Sequence, residues 1–447
     1  MAVPERTTRR GATHVIVSQY IIPGMAVTDH RVTVPLDWFN ANNTATISVF
    51  ARELVDAEHR HEQLPVMVFL QGGPGGKGPR PPRREGWIDE ALKTHRVLLL
   101  DQRGTGRSSR VDGTVISRFD TASAGADFLQ HFRADSIVAD AEHLRKTLYG
   151  GRRWSTLGQS YGGFLTLTYL SQAPEGLSAC YVTGGLASIA PDAAEVYRRT
   201  FPRTRGKNRE YYARYPDDLA LVSRIADRLA AGRVLLPDGD TLSVRRFQSL
   251  GIDFGMKPGF ERMHWLLDEA FADDDGDRLS DGFLAQVLAR TSFADNPLFA
   301  AMQESIYAHG DNGPTGWAAQ AELGRHPDFA ETARPLLFTG EMMFPWMFEE
   351  IRLLRPFAAA VNELARRESN SLLYDVERLA ANEVPVAAAV YFDDMYVDAG
   401  LQLDTAAVVG NTHAWVTNEF EHDGIGDAKV FAYLKDTIAQ LGGGISK

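Results

Sequence analysis

The chain has 447 residues, 44% hydrophobic and 23% charged, enough to bury a large core in one elaborated domain or two. Its formal net charge of −11 argues against a nucleic-acid backbone as the main partner. The one cysteine, Cys180, excludes an intramolecular disulfide and fits a reducing compartment; its apolar run (Ala179-Cys180-Tyr181-Val182) reads as a buried structural thiol.

The first thirty residues carry early arginines but no apolar core long enough for a signal peptide, although the basic stretch can also be read as a weak targeting segment. No stretch approaches 18 consecutive apolar residues, so no membrane association is expected and a cytoplasmic location is the default. Residues 31–55 alternate apolar and polar side chains around an Asn-Asn turn, the pattern of an antiparallel hairpin.

Short apolar runs follow at Pro65–Leu70, Arg96–Asp101 and Trp154–Leu157. They do not alternate, as expected of parallel strands covered on both faces. Between the second and third, Asp135–Tyr149 places Ile137, Val138, Ala141, Leu144 and Leu148 on one helical face. Phe164–Ala173 reads as another helix and Ala179–Thr183 as another strand, so strands alternate with helices around a mostly parallel sheet. From about 190 to about 375 helical patterns dominate. The strand signature returns at Pro385–Phe392 and Ala414–Thr417, before a final helix at Lys429–Gln440. These boundaries predict an α/β core in two parts, 1–189 and 376–447, split by a helical cap insertion over 190–375.

Gly158-Gln159-Ser160-Tyr161-Gly162 fits the G-x-S-x-G elbow, in which a sharp strand-to-helix turn presents a serine at its tip. Alone it also fits a plain small-residue turn. In the elbow reading Ser160 is the nucleophile and the Tyr161 N–H faces a developing oxyanion. The glycine-rich loop Gln71-Gly72-Gly73-Pro74-Gly75-Gly76 follows the first parallel strand, where a second oxyanion donor belongs; Gly73 is the first choice and Gly72 is close behind. The loop lacks the Gly-Lys-Ser/Thr ending of a phosphate cradle, and Gly104-x-Gly106 lacks the third glycine of a dinucleotide site, so no cofactor is expected. Asp101 and Arg103 read as braces for the loops around the nucleophile.

A serine nucleophile needs a base and an acid that orients it, in the chain order Ser, Asp, His for this architecture. The acid should emerge after the strand ending at Phe392, which gives Asp394, with Asp393 as the fallback and Asp398 as a loop or cap residue. His422 follows the last strand and fits the base, whereas His413 precedes it, at the wrong end. The acidic run Asp273–Asp277 has Arg278 and Leu284 where a calcium loop needs Gly and Glu, and no His/Cys spacing suggests zinc, so no metal is expected.

Taken together, QGGPGG, DQRGTGRSS, GQSYGG and the late DDMYVD…EHDG resemble the prolyl aminopeptidase (proline iminopeptidase) family of α/β-hydrolase serine peptidases, over nearly the whole chain. The resemblance implies an α/β-hydrolase fold, a triad of Ser160, Asp394 and His422, and release of an N-terminal residue, typically proline, from small peptides with a free N-terminus. The family usually has His where this chain has Gln71, a departure expected to act only locally. The resemblance also implies cap carboxylates that hold the substrate's amino terminus. Glu304, in Glu304-Ser305-Ile306-Tyr307, is one candidate and equally reads as a solvated helix residue or a helix cap. Glu341 is the second, beside aromatics (Phe344, Trp346) that would shape a small apolar pocket. An esterase or amidase of another acyl preference, or a non-catalytic binding protein on the same scaffold, are the alternatives. Oligomeric state is not legible.

Overall fold

The computed structural model describes residues 14–273 and 276–442. The basic N-terminal stretch through residue 13, and Asp274 and Asp275 of the acidic run, lie outside the described residues. Nine strands form one sheet: β1 (His14–Ile22), β2 (Met25–Pro35), β3 (Thr46–Asp56), β4 (Val66–Leu70), β5 (Arg96–Asp101), β6 (Trp154–Gln159), β7 (Leu177–Thr183), β8 (Val386–Tyr391) and β9 (Thr412–Thr417). Their spatial order is β1-β2-β3-β5-β4-β6-β7-β8-β9. The β1–β2, β2–β3 and β3–β5 pairs are antiparallel, and every later pair is parallel.

The non-alternating runs behave as their composition dictates. All five residues of β4 and all six of β8 are buried, because helices cover the sheet on both sides. On one face Val68, Leu98 and Val182 pack with Leu144 and Leu165 from the helices Ala134–Tyr149 and Tyr161–Gln172. On the other, Phe69, Leu99 and Tyr181 pack with Trp87 from the helix Gly86–Leu92 and Phe431 from the helix Ala428–Gln440. The fold is therefore α/β with a mostly parallel sheet, as expected.

The hairpin forms between β2 and β3, with Pro35 opposite Thr46. It begins earlier than the alternation suggested, and β1 adds a strand that sequence reading did not anticipate. β1 is an edge strand with Val15, Ile16 and Ile21 largely exposed, so it carries no strong inside–outside pattern. Between Thr183 and Val386 the described residues are helical, opening with the long helix Ala193–Arg214 and joined by short helices and loops. His413 lies inside β9, opposite Ala387, rather than before the strand, because β9 starts two residues earlier than expected. Among the described residues no helix is long and apolar enough to cross a membrane.

Candidate active site

The elbow is built as the glycine spacing demands. β6 ends at Gln159, the next helix starts at Tyr161, and Ser160 between them has φ 55° and ψ −124°. A side-chain-bearing residue holds such angles only where its surroundings over-determine them. Here the Ser160 N–H donates to the Thr183 carbonyl at 2.9 Å, and its carbonyl accepts from the Gly163 N–H at 2.7 Å. A methyl group at Gly158 would collide with the Gly162 carbonyl, and one at Gly162 with the Leu70 carbonyl. The turn therefore tolerates only glycine at both positions.

The loop after β4 lies against this turn. A methyl at Gly72 would stand 2.8 Å from Ser160 Cβ, so the bare backbone is what lets the loop approach the serine. Gly73 has φ 132°, a region that glycine alone adopts without strain. Among the described residues neither the Gly73 nor the Tyr161 N–H has an acceptor. The Tyr161 N–H also sits at the N-terminal end of a 12-residue helix, where the helix dipole favours negative charge. Gln71, at the position where histidine was expected, is held through its carbonyl, which accepts from Gln102 Nε2 at 2.7 Å.

Asp394 and His422 meet across a 28-residue sequence gap. His422 Nδ1 lies 2.7 Å from Asp394 Oδ2. A carboxylate only accepts, so Nδ1 carries the proton and Nε2 is left as the free ring nitrogen. The other carboxylate oxygen, Oδ1, accepts from the N–H groups of Tyr396 (2.8 Å) and Val397 (3.1 Å). Asp394 is wholly buried whereas Asp393 points to solvent, which separates the two adjacent aspartates. Asp398 caps the helix Ala399–Val408, accepting from Leu401 N–H at 3.0 Å, and pairs with Arg203 at 2.6 Å. Burial pulls the His422 pKa down, but the Asp394 charge and hydrogen bond, with Glu341 behind them, outweigh it and leave it raised above the ordinary histidine value.

Ser160, His422, Gly72, Gly73, Glu341 and Tyr396 share one cavity of about 420 Å³. Burial pushes the Glu341 carboxyl up to about 7; the His422 imidazolium opposes that rise and the Asp394 charge adds to it. Water reaches the Glu341 side chain only in part. A buried carboxylate with so few partners is costly until a cation neutralises it.

Glu304 lies elsewhere. It does not line this cavity; its Oε1 accepts from the Ala319 N–H (3.0 Å) at the start of the helix Ala318–Leu323. It is only 7% exposed and its Oε2 has no partner, so burial pushes it up to about 7 despite the surrounding backbone donors. The solvated-residue reading of Glu304 is therefore wrong. Burial, with the charges of Glu304 and Glu341 added to it, raises the pKa of the Tyr197 and Tyr307 hydroxyls.

The aromatics expected beside Glu341 are not where the sequence put them. Phe344 and Trp346 are buried and stack on each other (6.2 Å between centroids), away from the cavity. The chain turns into the short helix Met347–Glu350 directly after them, which draws both rings into the core of the helical region. The apolar wall comes instead from Ile252, Met256, Phe299 and Tyr396. Only Tyr396 lay in a stretch the sequence singled out; the others sit on short helices and loops with no local signal.

Arg103 also differs from expectation. Its guanidinium pairs with Asp140 (2.6 Å) and donates to the Leu36 and His131 carbonyls, tying the β2 end to the helix Ala134–Tyr149 rather than bracing the nucleophile. Asp101 does brace a site loop: it accepts from the Gly78 and Arg107 N–H groups and pairs with Arg80.

Comparison with known proteins bears on the fold and the family. The family described as alpha/beta hydrolase fold matches residues 65–220, which run from β4 past the helix Ala193–Arg214 into the helix Asp218–Ala231. The proline iminopeptidase of Aeromonas sobria is 44% identical over 91% of this chain and 94% of its own. A proline iminopeptidase of Aspergillus aculeatus is 34% identical over 90% of this chain and 91% of its own. The solved proline iminopeptidase of Mycobacterium smegmatis covers 87% of this chain and 95% of its own at 12% identity, with a TM-score of 0.40, too low to add to the sequence relation.

Proposed function

The chain belongs to the proline iminopeptidase family, and from that premise we propose that it is a serine aminopeptidase releasing an N-terminal proline or similar small residue from peptides. Ser160 is the nucleophile, His422 the base and Asp394 the acid that fixes the base's tautomer. Residues 190–375 form a cap that carries Glu341, the carboxylate that receives the amine. The observation that carries the reading is the placement of Glu341 in the same cavity as Ser160 and His422.

The chemistry follows from these positions. The substrate's ammonium neutralises Glu341, which sets the first residue's carbonyl carbon over Ser160 Oγ. As Oγ attacks, its proton passes to His422 Nε2 and the carbonyl oxygen becomes an oxyanion facing the Gly73 and Tyr161 N–H groups. His422 then gives the proton to the departing amide nitrogen as the C–N bond breaks, leaving the aminoacyl ester on Ser160. Water, deprotonated by His422, adds to that ester, and the free amino acid leaves as Oγ regains its proton. Glu304 lies outside this cavity and burial favours its protonated form, so the charge that receives the amine is that of Glu341.

An esterase without amine recognition has no use for a carboxylate held largely out of water beside the nucleophile, as Glu341 is. The two readings part on one assay, hydrolysis of the β-naphthylamides of proline, alanine and N-acetylproline. The proline compound should be cleaved fastest. Acetylation should cost at least about a hundredfold in kcat/KM, since it strands a buried carboxylate without its cation. Equal rates on proline and acetylproline compounds would remove the aminopeptidase assignment.

A further inference from the structure

A second cavity, of about 390 Å³, adjoins the catalytic one. The two share Ile252, Asp295, Asn296 and Phe299 in their walls. The partition between them is the segment Gly340–Met343, which lines both: Glu341 borders the catalytic cavity, while Gly340, Met342 and Met343 border the second. Phe293 and Met347 complete an apolar lining. Phe293 holds φ 54°, a conformation bulky residues adopt only when their surroundings impose it.

The position of this cavity along the substrate path follows from the two ends of the catalytic one. Glu341 marks the enclosed end, where the amine is received. Lys77 and Asp295 mark the open end; they pair at 2.6 Å with side chains 37% and 67% exposed. A peptide entering amine-first places its first residue between Glu341 and Ser160, and the residues after the scissile bond run toward Lys77–Asp295. Asp295 and Asn296 belong to both cavities, so the second cavity opens beside the leaving part of the peptide.

We propose that this second cavity is the subsite for the side chain of the residue that follows the N-terminal one, and that it selects apolar side chains. The proposal rests on the aminopeptidase reading above. Methionine supplies three of its walls, and unbranched thioether side chains repack around ligands of differing shape, so the preference runs with apolar size more than with shape.

The test uses the full-length protein and four substrates with one common first residue: prolinamide, Pro-Gly-amide, Pro-Leu-amide and Pro-Phe-amide. Partial to full burial of a leucine side chain corresponds to roughly a ten- to hundredfold gain in kcat/KM over glycine. Ala289→Trp, at an exposed position of the second cavity's wall, should bring the Leu/Gly ratio down toward one. If that variant does not fold, Ala294→Trp, also exposed and in the same wall, serves in its place. A flat Gly–Leu–Phe series in the unmodified protein overturns the proposal, as does an unchanged Leu/Gly ratio in a folded variant. A third overturning result is a variant that alters the preference for the first residue, read on leucinamide against prolinamide, and leaves the second untouched. Failure to cleave any of the four substrates strikes the aminopeptidase reading itself, which keeps the two failures distinct.

Discussion

The main-chain N–H of His422 donates to the carbonyl of Gly255, 3.0 Å away, so the loop carrying the imidazole is tied to the helical region rather than only to the sheet that precedes it. The same loop is held by Lys207, whose ammonium lies 2.7 Å from Glu421, and by the Lys257 N–H, which donates to Asp423 Oδ1 at 3.1 Å. The Tyr396 ring fills the space between: it meets His422 edge-on at 4.7 Å, and its hydroxyl donates to the Ile252 carbonyl. The helical region is thus part of the frame that aims the imidazole.

A methyl group at Gly255 would run into the Tyr396 ring. We expect Gly255→Ala to displace that ring and, through it, His422. Small misplacements of a catalytic group cost up to about a hundredfold in rate. The fall should appear in kcat, with KM on prolyl-naphthylamide changed far less, because Glu341 stays in place. Steady-state kinetics on the folded variant decides the matter; an unaltered kcat would show that the contact does not aim the imidazole.

Ser160→Ala removes the attacking oxygen and leaves the cavity otherwise intact. Hydrolysis should drop by roughly four or more orders of magnitude, as when a nucleophile is removed from other triads. Substantial activity in the purified variant would mean that Ser160 is not the nucleophile.

The pH profile follows from the neighbours of His422. Only the neutral imidazole accepts the Ser160 proton, and its pKa is raised, so the acid limb of kcat/KM should fall above the ordinary histidine value. Glu341 is one of the charges that raise it. Glu341→Gln removes that charge, so the imidazole should deprotonate more easily and the limb should move to lower pH, while KM for the amine substrate rises. A limb that stays put, or moves upward, contradicts the electrostatic coupling.

Glu304 gives a stability prediction with a definite sign. Its folded pKa, raised to about 7 by burial, means that the folded state favours the protonated acid. Its contribution is fully present below the ordinary glutamate range and is lost as pH rises through about 7. A shift of that size corresponds to about 3 kcal/mol. Glu304→Gln keeps an acceptor for the Ala319 N–H and carries no charge to bury. In denaturant unfolding it should be more stable than the parent protein at pH 8, by about 1–3 kcal/mol, and nearly equal at about pH 4. The same advantage at both pH values would refute the charge-burial account.

Much of the site was legible because its local steps are steric. Glycines at 72, 73, 158 and 162 stand where the chain turns tightly or passes close to another backbone, and no other residue meets that demand cheaply, so their spacing, together with the strands before them and the order of the later motifs, announced the elbow and the loop facing it. Position narrowed the candidates to Asp393 and Asp394; in the structure Asp394 turns inward against His422 and Asp393 turns to solvent. The apolar wall was not legible. Phe344 and Trp346 sit near Glu341 in sequence but turn away from it, whereas Ile252, Met256 and Phe299 come from segments with no distinguishing composition. Glu304 illustrates a second limit: its burial comes from packing among distant elements, which no local pattern encodes.

What the sequence determined by itself was the order of the pieces: a parallel sheet from non-alternating apolar runs, a serine at a glycine-bounded turn, and an aspartate and a histidine placed after the last two strands. These follow from local sterics and from chain direction in a parallel sheet, both of which act over a few residues. Only the tertiary structure decided that Glu341 faces Ser160 while its neighbours line a second cavity, and that Gly255 holds the histidine loop. Those relations depend on how irregular helical segments pack against one another, and packing is fixed by volume and complementarity among residues far apart in the chain.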